Sequence, residues 1–181
     1  SRHSGFRWLY YYLFGKFEKL GVRKFCDAHY TVVSKDCKKE LISAGVNPSS
    51  VTYIGNGVDT DRFDADRSEC SNPSDPDTKV FLSLGRLAPQ KRPQLLIKTL
   101  DKVSNETSYD ITAYVAGGGE CREKVEKYVE ENSIKDIHIL GYVEEDVKMN
   151  LYESADYFIL SSAYEGEPLV LYEALASGLP C

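Results

Sequence analysis

Lys79-Val80-Phe81-Leu82-Ser83-Leu84-Gly85-Arg86-Leu87-Ala88-Pro89-Gln90-Lys91-Arg92-Pro93 is the stretch on which the reading of the fold turns. An apolar run stops at a glycine, a proline-containing turn follows, and from Pro93 onward Leu96, Leu100 and Val103 recur at helical spacing. The pattern predicts a strand over 79–84 and then a helix opened by a proline, whose missing N–H costs nothing in a first turn. The unit recurs downstream. Ile111 to Ala116 predicts a strand ending in Gly117-Gly118-Gly119, with a charged helix over about 120–131. Ile137 to Leu140 predicts another, followed by a helix over about 145–154 with Val147 and Leu151 on one side. Asp156 to Leu160 predicts a fourth, and a last helix begins near Leu169 and ends at Gly178. Strands alternating with helices of roughly 10 to 14 residues indicate an α/β fold, a Rossmann-like parallel sheet with helices on both faces. Four such units predict a sheet lacking its last strands.

Upstream, the β-branched run His29-Tyr30-Thr31-Val32-Val33 predicts a buried strand. Ser34 is placed to cap a helix over about 35–44, with Cys37 and Leu41 on one face and Gly45 as its stop. Val51 to Ile54 predicts a second short strand, running into the turn-rich Gly55-Asn56-Gly57-Val58-Asp59. The segment 64–78 is polar, broken by Pro73 and Pro76, and predicts a linker or surface loop. Residues from about 5 to 25 predict a helix ending near Gly21.

The chain has 181 residues, enough for one well-packed domain and part of a neighbour but not for two full substrate domains. Its formal charge of −6 gives a nucleic-acid partner no bulk electrostatic support, so a bound anion must be held by local groups. The five cysteines, Cys26, Cys37, Cys70, Cys121 and Cys181, form no CxxC pair and lie beside no histidine, which removes zinc spacing and argues for a reducing compartment. Of the three histidines, His138 falls inside a predicted strand, where a buried or half-buried structural place is expected. No stretch approaches the ~20 apolar residues needed to span a bilayer. The aromatic run Phe6 to Phe14 has two readings, an interfacial membrane contact or a helix packed on sequence upstream of the chain.

In a doubly wound sheet, ligands bind beyond the carboxyl ends of the strands, so the loops after residues 84, 116, 140 and 160 are the places to seek function. In the first, Arg86 and Lys91 stand five apart across a turn just before a helix amino end. A planar fork and a mobile point charge together can hold a diphosphate and stabilise charge growing on a leaving group; a solvated basic turn is the bland alternative. In the second, the glycines at 117–119 let backbone approach a ligand, or simply make a tight turn, and they do not form the GxGxxG fingerprint. In the third, Gly141-Tyr142-Val143 offers backbone groups to a planar base, with Tyr142 as a packing ring or a loop cover. In the fourth, Glu165 lies in the loop and Glu173, eight residues on, in the helix after Pro168. The amides of Leu169 and Val170 at that helix start are suited to a phosphate. Glu173, about one turn in, is suited to a pair of sugar or ribose hydroxyls, and its apolar neighbours Leu171, Tyr172, Ala174 and Leu175 ask for a reason to place a carboxylate there.

Taken together these residues resemble the donor domain of the large retaining GT-B glycosyltransferases of family-4 type, the glycosyl transferases group 1. The match runs from about 27 to 181 and rests on Asp27 and Ser34, Asn56-Gly57-Val58-Asp59 with Phe63, Gly85-Arg86-Leu87 with Lys91, the glycines at 117–119, Gly141, and Glu165 with Glu173 followed by Gly178 and Pro180. The resemblance implies three parts: 1–50 as the tail of the N-terminal acceptor domain, 51–78 as connection and surface loop, and 79–181 as a truncated nucleotide-sugar-binding domain. It implies that Arg86, Lys91 and Glu165 are catalytic, the cations on the diphosphate and Glu165 at the donor sugar. Glu173 would hold the ribose hydroxyls, the backbone near Val143 the base, the Leu169 and Val170 amides the distal phosphate, with Gly85 and Gly118 close to the donor. No metal and no cofactor is expected. The implied activity is transfer of a hexose from a nucleotide diphosphate sugar to a glycan or lipid-linked acceptor, with retention, in the cytoplasm or at the inner face of a membrane. The acceptor would bind to the N-terminal domain, so the chain by itself should bind donor weakly and transfer essentially nothing. Glu167-Pro168 departs from the Phe-Gly common after the Glu-Gly pair, adding a carboxylate that either alters sugar preference or faces solvent. A non-catalytic nucleotide-binding module and a sugar-nucleotide epimerase are the rival readings, and neither accounts for Arg86, Lys91, Glu165 and Glu173 at once.

Overall fold

The computed structural model describes residues 28–63 and 78–181. The predicted helix over 5–25, the aromatic run, Asp27, Cys26, Cys70 and most of the predicted linker lie outside these residues. The chain divides into two compact units, Ser1–Asn56 and Gly57–Cys181.

Within the first unit, β1 (Tyr30–Val32) pairs in parallel with β2 (Val51–Tyr53), Tyr30 opposite Val51. Between them runs α1 (Lys35–Ser43), and the predicted cap is present: the Ser34 hydroxyl accepts from the Cys37 N–H at 3.1 Å. The helix ends where expected, with Gly45 at φ 104°, a left-handed conformation that a side chain would strain. Cys37 and Leu41 pack on a small core of Val32, Val46 and Val51. The strand expected over Val51 to Ile54 is present as Val51–Tyr53 and belongs to this unit.

The second unit is built on a four-stranded parallel sheet in the order β5-β4-β3-β6, from β3 (Lys79–Leu84), β4 (Ile111–Ala116), β5 (Ile137–Gly141) and β6 (Tyr157–Phe158). The reversal of direction between β4-β5 and β6 places a topological switch point at β3, whose carboxyl end is where such sheets bind ligands. The period-two burial of β3 divides the core: Val80, Leu82 and Leu84 join one cluster and Phe81 packs against the other. The crossover helices are α2 (Pro93–Glu106), α3 (Arg122–Glu131) and α4 (Glu145–Ser154), and α5 (Leu169–Ala176) follows β6. Leu96, Ile97 and Leu100 of α2 and Val125 of α3 are buried with Ile111, Ala113 and Val115, while Leu151 and Tyr152 of α4 and Ala174 of α5 are buried with Leu82 and Phe158.

Two expectations are corrected. Val147 is 42% exposed, and the buried side of α4 runs through Leu151, Tyr152 and Ala155, with half-buried Lys148 at its head. Positions 148, 151, 152 and 155 share one face at helical spacing, and the polar groups at 148 and 152 hid that face from a hydrophobicity pattern. His138 is exposed instead of buried, because β5 is an edge strand and its ring stacks on Tyr114 with centroids 5.3 Å apart.

Candidate active site

Three loops meet at the carboxyl end of β3, and backbone hydrogen bonds lock them together. Gly85 N–H donates to Ala116 O at 3.0 Å, Leu87 N–H to Gly118 O at 2.8 Å, and Cys121 N–H to Leu87 O at 2.9 Å. The glycine run is what permits this approach. A Cβ on Gly117 would lie 1.9 Å from Gly85 O and one on Gly119 2.5 Å from Leu87 O, and both residues have φ near +140°, at 137° and 148°. At Gly118 nothing lies within 4 Å of the added carbon. Packing within the protein therefore requires the outer two glycines and not the middle one.

The 161–165 loop is fastened to the 88–92 turn. Ala163 N–H donates to Gln90 O at 2.7 Å and the Ser161 hydroxyl to Lys91 O at 2.6 Å. Lys91 Nζ pairs with Glu165 Oε1, which also accepts from the Ser162 hydroxyl, and both charged side chains are 24% exposed. Burial raises the Glu165 carboxyl, but the Lys91 and Ser162 bonds outweigh it and hold the group below the usual 4.5. Because the folded value is depressed, the pair's stabilisation is present above pH 4.5 and is lost as pH falls through the lower folded value. Thermal unfolding of wild type and Glu165→Gln should therefore differ at pH 7 and converge as the pH falls below 4.5. A pH-independent gap would show that the carboxylate's charge contributes nothing.

Arg86, five residues from Lys91, is exposed, and its guanidinium has no ion pair among the described residues. A small cavity of about 20 Å³ lies between these loops, lined among others by Gly85, Arg86, Lys91, Leu160, Ser161 and Ser162. The structure thus brings Arg86, Lys91 and Glu165 to one place, with Lys91 partnered by Glu165. Arg92 is exposed, with φ 50°, and opens α2.

Glu173 sits on α5 with its side chain 15% exposed, and the reason sought for a carboxylate there is visible. Its Oε1 accepts from Lys148 Nζ at 3.1 Å. The Tyr152 hydroxyl lies 2.9 Å from its Oε2 and 3.1 Å from Val170 O, sharing one proton between them. Burial and the neighbouring Glu173 push the Tyr152 phenol well above its ordinary value, so it is a fixed donor. Burial depresses Lys148, but its contacts with Glu145 and Glu173 outweigh this and raise it, so it is held as a cation. Lys148 and Tyr152 were not legible as site residues. Both lie within the helix α4 and outside the loops after the strands, where function was sought.

At the start of α5, Pro168 provides no side-chain cap, and among the described residues no recorded backbone bond uses the N–H of Leu169 or Val170. Val143 is half-buried against the core and Tyr142 is 77% exposed, so Tyr142 does not serve as a packing ring. No group of three or more metal-ligating side chains occurs among the described residues, and none of their helices is long and apolar enough to cross a membrane.

Comparison with known proteins joins this geometry to a family. Residues 64–181 match the family described as Glycosyl transferases group 1, and residues 1–62 match Glycosyltransferase Family 4. The chain belongs to the group 1 glycosyltransferases. This group 1 chain is 31% identical over 157 residues to an uncharacterised glycosyltransferase of Methanocaldococcus jannaschii, covering 82% of the chain and 40% of that protein. It is 32% identical over 157 residues to the UDP-Gal:alpha-D-GlcNAc-diphosphoundecaprenol alpha-1,3-galactosyltransferase of Escherichia coli, covering 80% and 38%. It spans less than half the length of these relatives. Among solved structures, the lipopolysaccharide outer core galactosyltransferase WaaB is similar at TM-score 0.64 and 25% identity, over 85% of this chain and 42% of that one. Anabaena HepE in complex with UDP-glucose shares the fold at TM-score 0.72 and 20% identity, over 92% and 49%. The parallel sheet of this group 1 chain, with helices on both faces, is of the GT-B type expected from sequence.

Proposed function

We propose that this chain supplies the donor-binding wall of a retaining glycosyltransferase that moves a hexose from a nucleotide diphosphate sugar to a glycan or lipid-linked acceptor. The observation that carries the proposal is the unpaired Arg86 beside the Lys91–Glu165 pair at the carboxyl end of β3. In this reading a diphosphate enters between Arg86 and Lys91, and Lys91 exchanges one Glu165 oxygen for phosphate oxygens. The two cations then stabilise charge as the C1–phosphate bond breaks. Glu165, released from Lys91, accepts hydroxyls of the donor sugar. Glu173 has one donor on each oxygen and lone pairs left for the two ribose hydroxyls. The Leu169 and Val170 amides take the distal phosphate and the backbone near Val143 the base. Gly118, which no neighbour in the protein requires to be glycine, leaves room for ligand at the backbone, as does Gly85.

In a retaining reaction the acceptor oxygen bonds to C1 on the face the phosphate leaves, and the acceptor proton passes to the departing phosphate oxygen. Charge neutralisation falls to Arg86, Lys91 and the α5 amides, so we assign no metal and no other cofactor. The names of relatives acting on diphosphoundecaprenol-linked sugar and on lipopolysaccharide favour a lipid-linked or glycan acceptor, handled in the cytoplasm or at the inner face of a membrane.

Calorimetry of the full-length protein against UDP-, GDP- and ADP-sugars, followed by NMR of the product anomer, tests the proposal. One nucleotide class should bind, free nucleoside diphosphate should appear with the product, and the anomer should match the donor. An inverted product removes the retaining assignment. A changed sugar still attached to its nucleotide favours the epimerase.

A further inference from the structure

Resting on the assignment of Glu173 to the donor ribose, we propose that Lys148 is the positioning residue that makes Glu173 able to read the ribose hydroxyls, and that it does so by holding one carboxylate oxygen and neutralising its charge. A glutamate rotating on a helix surface would meet a diol only in a fraction of its rotamers. Here Lys148 Nζ fixes Oε1 at 3.1 Å and Tyr152 fixes Oε2 at 2.9 Å, so the plane of the carboxylate is set from both sides. Tyr152 is itself immobile: it is fully buried, and Phe63 packs edge-on against its ring at 5.8 Å. Lys148 is held from its other side by Glu145 Oε2 at 3.0 Å, and Glu145 Oε1 accepts from Arg62 at 2.8 Å. The row Arg62–Glu145–Lys148–Glu173 alternates in sign and ends at the carboxylate.

The electrostatic side of the argument concerns the diphosphate. Glu173 lies one turn beyond the Leu169 and Val170 amides, so an uncompensated carboxylate there would repel the phosphate those amides receive. Lys148 is 19% exposed and Glu173 15%, where a pair is screened less than at the surface, and the compensation is correspondingly effective. Lysine at 148 therefore lets one helix start accept a phosphate while a carboxylate one turn away accepts a diol.

The test measures affinity of the full-length protein for whichever of UDP, GDP and ADP binds best, and for its 2′,3′-dideoxy counterpart. Wild type should prefer the ribose form by about tenfold or more, since the dideoxy ligand leaves the half-buried carboxylate without its diol. Lys148→Met should bring that ratio to within about twofold while Lys148→Arg keeps most of it, because arginine restores both charge and donor. Lys148→Gln is the second variant, keeping a donor without the charge, and should fall between them. A lysine that only ties α4 to α5 would lower the melting temperature and weaken both ligands equally. An unchanged ratio in Lys148→Met or Lys148→Gln, with wild type discriminating, therefore overturns the inference and leaves the ribose assignment standing. If wild type shows no preference for the ribose form, the assignment of Glu173 itself fails and the inference fails with it.

Discussion

Lys91→Ala in the full-length transferase should lower kcat by about a hundredfold to a thousandfold, the usual cost of removing one charge-stabilising donor from a leaving group. Two effects act in the same direction. Under the proposed function the variant lacks the cation that would meet charge growing on the departing phosphate, and Glu165 keeps only the Ser162 hydroxyl of its two side-chain donors. Lys91→Arg should recover part of the rate, since the charge returns in a broader, planar head group that fits the turn differently. Steady-state kinetics with the preferred donor make the decision. A tether between two loops predicts a lower melting temperature with kcat within about threefold of wild type, and that result would remove Lys91 from the chemistry. The Lys91→Ala/Glu165→Gln double variant separates the terms: if repulsion by the stranded carboxylate dominates, it is faster than Lys91→Ala alone.

Gly117→Ala should be the most damaging small substitution in the described residues. Its Cβ would sit 1.9 Å from Gly85 O, a backbone atom that cannot swing aside, and φ of 137° is unfavourable for any side chain. To relieve the overlap, the loops that end β3 and β4 must separate, breaking the bonds from Gly85 N–H to Ala116 O and from Leu87 N–H to Gly118 O. Strain and lost hydrogen bonds together should cost about 3 kcal/mol or more. For a domain of this size that is a fall in melting temperature of roughly 6–12 °C. Gly118→Ala, with open space at its Cβ, should stay within about 1 kcal/mol of wild type. Thermal unfolding of the two variants side by side checks the contrast, and equal melting temperatures would mean that the close approach at Gly117 is relieved without cost. If donor binding falls only in Gly118→Ala among folded variants, the middle glycine is the one reserved for ligand.

The alternation of apolar runs with helical stripes was enough to order β3, α2, β4, α3, β5, α4, β6 and α5, because each element's periodicity and its stop signals are local. Ser34 and Gly45 show the same at finer grain, since a cap and a left-handed stop are written in single residues. The loops carrying Arg86, Lys91 and Glu165, and the helix carrying Glu173 behind the last of them, followed once the sheet was known to be parallel, because strand ends are where such sheets place ligands.

Partner choice across long separations was not local. Lys91 and Glu165 are 74 residues apart, and their pairing depends on β6 lying beside β3, which order along the chain does not state. The rotation of α4 was likewise decided by what it packs on. Val147 fits an apolar stripe on paper, but burying Tyr152 against Phe63 and Phe158 and pairing Lys148 with Glu173 together outweigh one valine. So the sequence by itself determined the elements, their order and the family, and it pointed to four charged residues as candidates for the site. Only the tertiary structure decided which two of the three glycines are structural, that Lys91 is held by Glu165, and that Glu173 is bonded by Lys148 and Tyr152. The physical reason is that hydrogen bonds and ion pairs between distant segments exist only once the sheet has brought their backbones together.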